Sequence, residues 1–307
     1  MRSKISCLFS LSLLLLLCGC LEFEEQSMSY RYDEKTDTLY IFQDYRGIFG
    51  GSRKETLTSN KDSIAEEVEQ LESVLKRERT FFFGNWITEF DREAFIEYSK
   101  ELKSTPADEN SKLNAEERKL LLALIESLLA NVKVENGPFY YDAKKRLCGT
   151  QKVTLTKASE IIRNANRTMP MVLKSIAKED STTAAEKALI LKAMEKRKDF
   201  IHLEKNIFSL VFPMSKPEFD KTFGPNAEPD LMVQEFKKCG GKIEFKDDEV
   251  HFSLGTPQDR ITTLTLPVAK AKKDYQGYLP NAVDEVRKRA VILEKYDVEA
   301  ARKEFLK

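Results

Sequence analysis

The sequence predicts an α+β fold in which antiparallel hairpins and a C-terminal meander pack against several amphipathic helices. β-rich runs occur in adjacent pairs separated by short polar turns, which favours antiparallel over parallel strands. Other segments repeat apolar residues at helical spacing. A composition of 41% hydrophobic and 33% charged residues is typical of a folded body with a densely charged surface.

The first residues have the order of a secretory signal. Arg2 and Lys4 form a basic start, and the apolar run from Leu8 to Leu17 follows. This run is too short to span a bilayer as a mature helix. We therefore expect a signal peptide that directs the rest of the chain out of the cytoplasm.

The signal ends in Leu17-Cys18-Gly19-Cys20, which resembles the lipobox of bacterial lipoproteins. The resemblance implies removal of residues 1–19, diacylglyceryl transfer to Cys20 and addition of a further acyl chain such as palmitate. The mature chain would be anchored to a bacterial membrane through Cys20, with its body extracytoplasmic. The resemblance does not extend beyond this segment, and it leaves open whether the body faces the periplasm or the cell surface.

Composition and cysteine number limit what the mature chain can do. Removing residues 1–19 leaves 48 basic and 50 acidic residues, so the chain lacks the basic footprint of a nucleic-acid-binding protein. Three cysteines remain. With Cys20 lipidated in an oxidising compartment, Cys148 and Cys239 form an even pair and are predicted to form a disulfide.

The chain divides into five predicted parts. After the signal, an acidic tether over 20–29 is followed by a main α+β domain over 30–212. The Pro/Gly-dense stretch 213–229 is either a rigid loop or a linker between subdomains. A C-terminal α+β part over 230–307 is either a subdomain or a portion of the same domain.

The first part of the main domain predicts a hairpin and a helix. Two β-rich runs, Tyr30–Tyr32 and Leu39–Phe42, flank a polar turn. The capping box that begins at Ser63 predicts a helix to about Arg79. The aromatic stretch Phe81–Phe90 is predicted to be core rather than a ligand-stacking platform, because aromatic side chains bury large areas.

Two helices and a second hairpin follow. A helix is predicted over 92–103, and Asn114 is predicted to cap a helix whose apolar stripe includes Leu120 to Leu129. Phe139–Lys144 and Gln151–Leu155 predict hairpin two. Tyr30–Lys35 and Phe139–Lys144 share the order aromatic-x-Tyr-Asp-x-Lys, a similarity too short to establish a duplication.

The remaining elements are predicted from caps, prolines and glycines. Helices are expected over 156–177 with a kink or restart at Pro170, from Thr183 to 196, from Asp230 to Cys239, and from Asn281, with a continuation over 298–306. One or two strands are expected within 200–212. The simplest pairing of the strands 242–246, 249–254 and 261–266 is an antiparallel meander.

Local catalytic and metal motifs are missing from the sequence. The chain has two histidines, His202 and His251, and no zinc-protease, Cys-x-x-Cys or nucleophile-elbow motif. A dispersed metal site from His202, His251, Cys148 and Cys239 is the less favoured alternative to histidines with structural roles. Ser73 and Lys76 match a Ser-x-x-Lys pattern without its companion motifs, and Glu89 with Asp91 would share one face of a strand.

The favoured function is therefore a non-catalytic envelope protein that binds a partner or ligand, without cofactor or metal. The alternative is an envelope hydrolase whose active site is dispersed in sequence. A third idea is a carrier that shelters an apolar ligand beside the leucine-rich helix. For a binding protein we expect no cleft in which either histidine meets a serine, a cysteine or a carboxylate within hydrogen-bond reach. An exposed apolar patch, such as one on Leu120–Leu129, would then be the candidate partner site.

Overall fold

The computed structural model describes residues 21–50, 90–104, 113–178, 182, 184–223, 230–238, 240–267 and 292–307. Within these ranges the chain forms seven helices and two sheets of six and four strands, so the predicted α+β class is confirmed. Several predictions lie outside the described residues. These are the signal peptide, Cys20, the helix 63–79, Phe81–Glu89, Cys239 and the helix from Asn281.

The elements have the following bounds. The strands are β1 (Leu21–Asp33), β2 (Thr38–Gly50), β3 (Val132–Tyr141), β4 (Leu147–Thr156), β5 (Ile201–Glu204), β6 (Ile207–Phe212), β7 (Lys242–Lys246), β8 (Glu249–Leu254), β9 (Thr262–Pro267) and β10 (Ile292–Leu293). The helices are α1 (Arg92–Ser104), α2 (Ala115–Asn131), α3 (Ala158–Lys178), α4 (Ala184–Lys196), α5 (Lys216–Phe223), α6 (Asp230–Lys238) and α7 (Val298–Phe305).

The six-stranded sheet has the order β10-β3-β4-β2-β1-β9. Its centre is built from the two predicted hairpins, β1–β2 and β3–β4, which pair with each other through β2 and β4. The two hairpin turns use the same local contact, since Asp33 accepts from the backbone N–H of Lys35 and Asp142 from that of Lys144. Both hairpin predictions are confirmed.

The prediction of a tether over 20–29 is wrong for residues 21–29, because β1 begins at Leu21 and is paired with β2 along its whole length. The acidic residues that suggested a solvated tether have basic partners from distant strands. Glu24 lies 2.8 Å from Arg146, and Glu25 lies 3.2 Å from Arg46. These pairs reduce the repulsion that would otherwise oppose an acidic strand.

The four-stranded sheet has the order β5-β6-β8-β7. Its two hairpins close with the two-residue turns Lys205-Asn206 and Asp247-Asp248, in which all four residues have positive φ, as type I′ turns require. Because β6 precedes the stretch 213–229 and β8 follows it, the sheet joins the two sides of this stretch.

The predicted meander is confirmed for β7 and β8, whereas the third strand pairs elsewhere. The second edge of β8 is occupied by β6, so β9 is not its neighbour. Gly255, at φ +86°, turns the chain after β8, and β9 then joins β1 in the six-stranded sheet.

A helix lies where the sequence indicated a Pro/Gly-rich loop. Helix α5 begins after Ser215, whose N–H and hydroxyl both donate to Glu218 at 2.8 Å. Pro217 is tolerated because the first turn of a helix has no internal partner for its N–H. The density of prolines and glycines therefore concealed a Ser-x-x-Glu helix-start signal, of which the structure shows the bond from the Ser215 N–H to Glu218.

The main core lies between the sheets and the helices that pack on them. Its buried members include Met28, Tyr30, Ile41, Phe208 and Phe252. A second cluster joins α3 and α4 to the start of β5. Its buried members are Leu173, Ile176, Ile190, Ala193 and Phe200.

Polar side chains cap the first turns of α2 and α7. Asn114 and Glu117 form the predicted capping box of α2, and Asp297 caps α7. Helix α3 runs through Pro170 as one element. Helix α7 is held on the six-stranded sheet by the ring of Phe305, which lies 5.8 Å from that of Tyr40.

Candidate functional site

The outer face of the four-stranded sheet carries both histidines of the chain. Residues alternate along β6 and β8, so that Phe208, Leu210, Val250 and Phe252 enter the core. The polar residues between them point to the opposite side. This outer face is defined by His202, Ser209, Lys242, Glu244, Lys246, Glu249, His251 and Ser253, with Arg197 at its margin.

Arg197 and Glu249 connect the two histidines. The Nη1 atom of Arg197 lies 2.5 Å from Glu249, and its Nη2 atom lies 3.0 Å from Nε2 of His202. His251 approaches the same carboxylate, with Nε2 at 3.8 Å from Oε2 of Glu249. Histidines that are far apart in sequence thus belong to one half-buried cluster, which no sequence motif indicates.

Nε2 of His202 lies between Nη2 of Arg197, at 3.0 Å, and the backbone carbonyl of Asp199, at 3.1 Å. A guanidinium has only donors, so Nε2 accepts from Arg197 in one tautomer and donates to Asp199 in the other. The Nε atom of Arg197 donates to the backbone carbonyl of Asp199 at 2.5 Å. The cluster is therefore organised around a cation held by a carboxylate, a carbonyl and an imidazole.

Burial controls the charge of His251. Partial removal from water lowers the pKa of His251 below its ordinary value of 6.5, and Lys246 and Arg197 act in the same direction. The carboxylate of Glu249 opposes this shift. The imidazole is thus mostly neutral at pH 7 and offers one donor and one acceptor.

The centre of the outer face is lined by hydroxyl groups. Ser209 and Ser253 lie opposite each other on β6 and β8, and their Oγ atoms are 3.2 Å apart. The two histidines contact Arg197 and Glu249 rather than these serines. The face offers exchangeable donors and acceptors at its surface, which suits recognition by hydrogen bonds.

A second polar cluster lies inside the six-stranded sheet. Asp44 is only 2% exposed, accepts from the hydroxyl of Tyr140 at 2.6 Å, and pairs with Arg46 at 2.7 Å. Burial raises the pKa of Asp44, while Tyr140 and Arg46 act against this shift. Burial and the Asp44 carboxylate also raise the pKa of Tyr140. This cluster joins β2 to β3 around the buried Asp44. We therefore interpret it as a structural element of the sheet and not as a binding site.

Cys148 is fully buried beside this cluster and has no disulfide partner among the described residues. Burial raises the pKa of its thiol to about 11, so the reactive thiolate is scarce at neutral pH. The other half of the predicted disulfide, Cys239, lies outside the described residues. The bond between them therefore stays a prediction.

The leucine-rich helix does not provide the expected exposed patch. Ile125 is buried, and the leucines of α2 from Leu120 to Leu129 are half-buried. The exposed large apolar side chains of the described chain are Ile96, Tyr98 and Leu191, which lie on α1 and α4. Phe90, the described residue of the aromatic stretch, is 3% exposed and packs beside Phe95, as a core residue should.

The space between the two sheets is too small for an organic ligand. A cavity of about 10 Å³ is lined there by apolar residues such as Met28, Ile41 and Phe208, and it can hold at most one water. Within the described ranges, three or more His, Cys, Asp or Glu side chains do not converge as metal ligands. His202 and His251 share a face, whereas Cys148 is buried in the other sheet.

The described helices include none with the length and apolar character needed to cross a bilayer. Comparison of the chain with protein-family models, with curated proteins and with solved structures found no match.

Proposed function

We propose that the protein is a bacterial envelope lipoprotein that binds a partner protein or ligand through the outer face of the four-stranded sheet. The observation that carries the binding role is the outer face itself. It holds both histidines, an Arg197–Glu249 pair and two opposed serines in half-buried positions, away from the core. The anchoring role rests on the lipobox resemblance of Leu17 to Cys20.

Half-buried polar groups on a sheet are suited to specific recognition. Strands hold their side chains at fixed spacing, so little ordering is needed when a partner binds. The Arg197–Glu249 pair is only 18% and 24% exposed, which keeps both charges in defined positions. A partner that satisfies these groups would gain specificity, because an unmatched surface would leave buried polar atoms unpaired.

Two measurements test this proposal. Intact-mass analysis of the membrane fraction should give a chain that begins at an acylated Cys20, and an unmodified Cys20 would refute the anchor. To test binding through the outer face, a photo-reactive amino acid at position 253 in place of Ser253 should form one defined adduct in native membranes. The same photo-reactive amino acid in place of Lys133, which is 67% exposed on β3 of the other sheet, is the control. Equal adducts from both positions would contradict binding through this face.

The hydrolase alternative is favoured by one observation. His251 lies 3.8 Å from a carboxylate and shares its strand face with Ser253, so the residue types of a triad are near each other. A broad hydrolase screen on the Cys20→Ala protein tests it. Turnover that is lost in His202→Gln or His251→Gln, and retained in Lys133→Gln on the other sheet, would replace the binding proposal with an enzymatic one.

A further inference from the structure

Strand β7 leaves part of its backbone without a partner strand among the described residues. It is the last strand in the order β5-β6-β8-β7. Lys246 and Glu249 flank the two-residue turn and form a hydrogen-bonded pair, so alternate residues along β7 bond to β8. The N–H and C=O groups of Ile243 and Phe245 consequently point away from the sheet.

The opposite edge of this sheet is closed in a different way. Asn166 bonds to both backbone groups of Ile201 on β5, with its amide donating at 2.9 Å and accepting at 2.8 Å. β7 has no such side-chain cap among the described contacts. Its outward backbone is therefore the edge of this sheet that can accept another strand.

The charges along β7 indicate which strand this edge would pair with. Lys242, Glu244 and Lys246 are exposed on one side of the strand. When two copies of β7 lie antiparallel, this alternation can place a lysine of one copy opposite a glutamate of the other. Opposite charges on facing strands stabilise pairing, while like charges oppose it.

We propose that β7 pairs antiparallel with β7 of a second copy of this chain, about a two-fold axis at Phe245. Phe245 then faces Phe245 of the second copy in a hydrogen-bonded pair. Glu244 of each copy faces Lys246 of the other. A register centred on Glu244 instead would oppose Glu244 with Glu244 and Lys242 with Lys246, so the charge pattern excludes it.

The apolar side of the strand agrees with this register. Ile243 and Phe245 are only half-buried, although both belong to the margin of the main core. The ring of Phe245 packs against Phe219 at 5.1 Å and lies under the ammonium of Lys216 at 5.4 Å. A second copy would cover the exposed flank of this ring and extend the four strands to eight.

Charge reversal at two positions provides the test. Glu244→Lys places two lysines against each other twice per dimer, and Lys246→Glu places two glutamates against each other twice. Each single variant should weaken the dimer about tenfold or more, because two attractive pairs become repulsive. The double variant Glu244→Lys/Lys246→Glu should recover the affinity, since it restores both pairs in exchanged positions.

The measurement is sedimentation velocity of the protein purified from membranes in detergent, from about 1 μM to about 1 mM. Mixing the two single variants, one with an affinity tag, should give co-purification that neither shows with itself. Glu204→Lys and Lys205→Glu, at the other end of the same sheet, are exposed controls and should leave the dimer unchanged. A monomer over the whole concentration range, or a dimer insensitive to both single reversals, would overturn the proposal.

Discussion

Asn166 makes to Ile201 the two hydrogen bonds that a neighbouring strand would make. Its Oδ1 atom accepts from the N–H of Ile201 and its Nδ2 atom donates to the C=O of the same residue. Oδ1 also accepts from the N–H of Phe200 at 2.9 Å. A side chain of α3 thereby completes the edge of β5 and joins the second core cluster to the four-stranded sheet.

We expect Asn166→Ala to lower the free energy of unfolding by about 2–3 kcal/mol, because it leaves three backbone groups, one buried and two half-buried, without a partner. Asn166→Asp should recover part of this loss, since a carboxylate accepts from the two N–H groups but does not donate to the carbonyl. Urea denaturation measures both. Asn131→Ala, at a half-buried helix end, is the control, and an equal loss there would contradict a special role for Asn166.

Gly255→Ala should be strongly destabilising at the junction of the two sheets. Gly255 has φ +86°, and an added Cβ would collide with the backbone oxygen of Asn206 and lie 2.6 Å from Oγ1 of Thr262. These atoms belong to the contacts that hold Tyr30 of β1 against the end of β8. We expect a loss of about 2–4 kcal/mol in unfolding free energy.

Gly240→Ala is the matched control for that substitution. Gly240 has a similar φ of +83°, but an added Cβ would meet no atom of the described residues within 4 Å. Gly240→Ala should therefore lower the free energy of unfolding only by the cost of placing alanine at positive φ, about 1–2 kcal/mol. Similar losses at Gly240 and Gly255 would mean that the close contacts at the junction relax without cost.

Glu218 should stabilise the protein in a pH-dependent way. Lys192, at 2.6 Å, and the bonds from Ser215 lower the pKa of Glu218 from 4.5 to about 2. A carboxylate with a lowered pKa stabilises the fold above pH 4.5 and loses this contribution as the pH falls through 2. Glu218→Gln should reduce stability at pH 7 by about 1 kcal/mol, the usual size of a capping contact.

The pH dependence distinguishes that effect from a general packing loss. Wild type and Glu218→Gln should converge in stability below about pH 2, where Glu218 is protonated in both the folded and the unfolded chain. Denaturant titrations at pH 7, 4 and about 1.5 measure the convergence. A constant difference at all three pH values would show that the ion pair with Lys192 contributes little.

His251 should make the stability of the fold depend on pH in a higher range than Glu218 does, near neutrality. Burial lowers the pKa of His251 below 6.5, so the unfolded chain binds the proton more tightly than the folded one. The stability that this group contributes is present above pH 6.5 and is lost as the pH falls through the lowered pKa. His251→Gln should flatten the stability profile between pH 7.5 and 5, whereas Lys216→Gln, an exposed position, should leave the profile unchanged.

The parts of the fold that sequence predicts are those specified by neighbours along the chain. The two hairpins follow from β-rich runs around polar turns, and the capping box of Asn114 and Glu117 marks the first residue of α2. Helix α5 carries an equally local signal in Ser215 and Glu218, but the prolines around it suggested a loop.

The parts that sequence does not predict depend on distant residues. The acidic start of β1 resembles a tether until Arg46 and Arg146 are placed beside it by other strands. The cluster of Arg197, His202 and Glu249 requires β5 and β8 to meet on either side of β6, and no spacing along the chain indicates it. The pairing of β9 with β1, in the six-stranded sheet, likewise depends on residues that are distant in sequence.

The early start of β1 determines how far the body could stand from a membrane. If Cys20 carries the proposed lipid, the next residue already belongs to a paired strand, so almost no flexible spacer separates the lipid from the fold. The strand rises roughly 30 Å between Leu21 and Tyr30, where it contacts the four-stranded sheet. The four-stranded sheet would then begin no more than about 30 Å from the lipid, whatever angle the strand makes with the membrane.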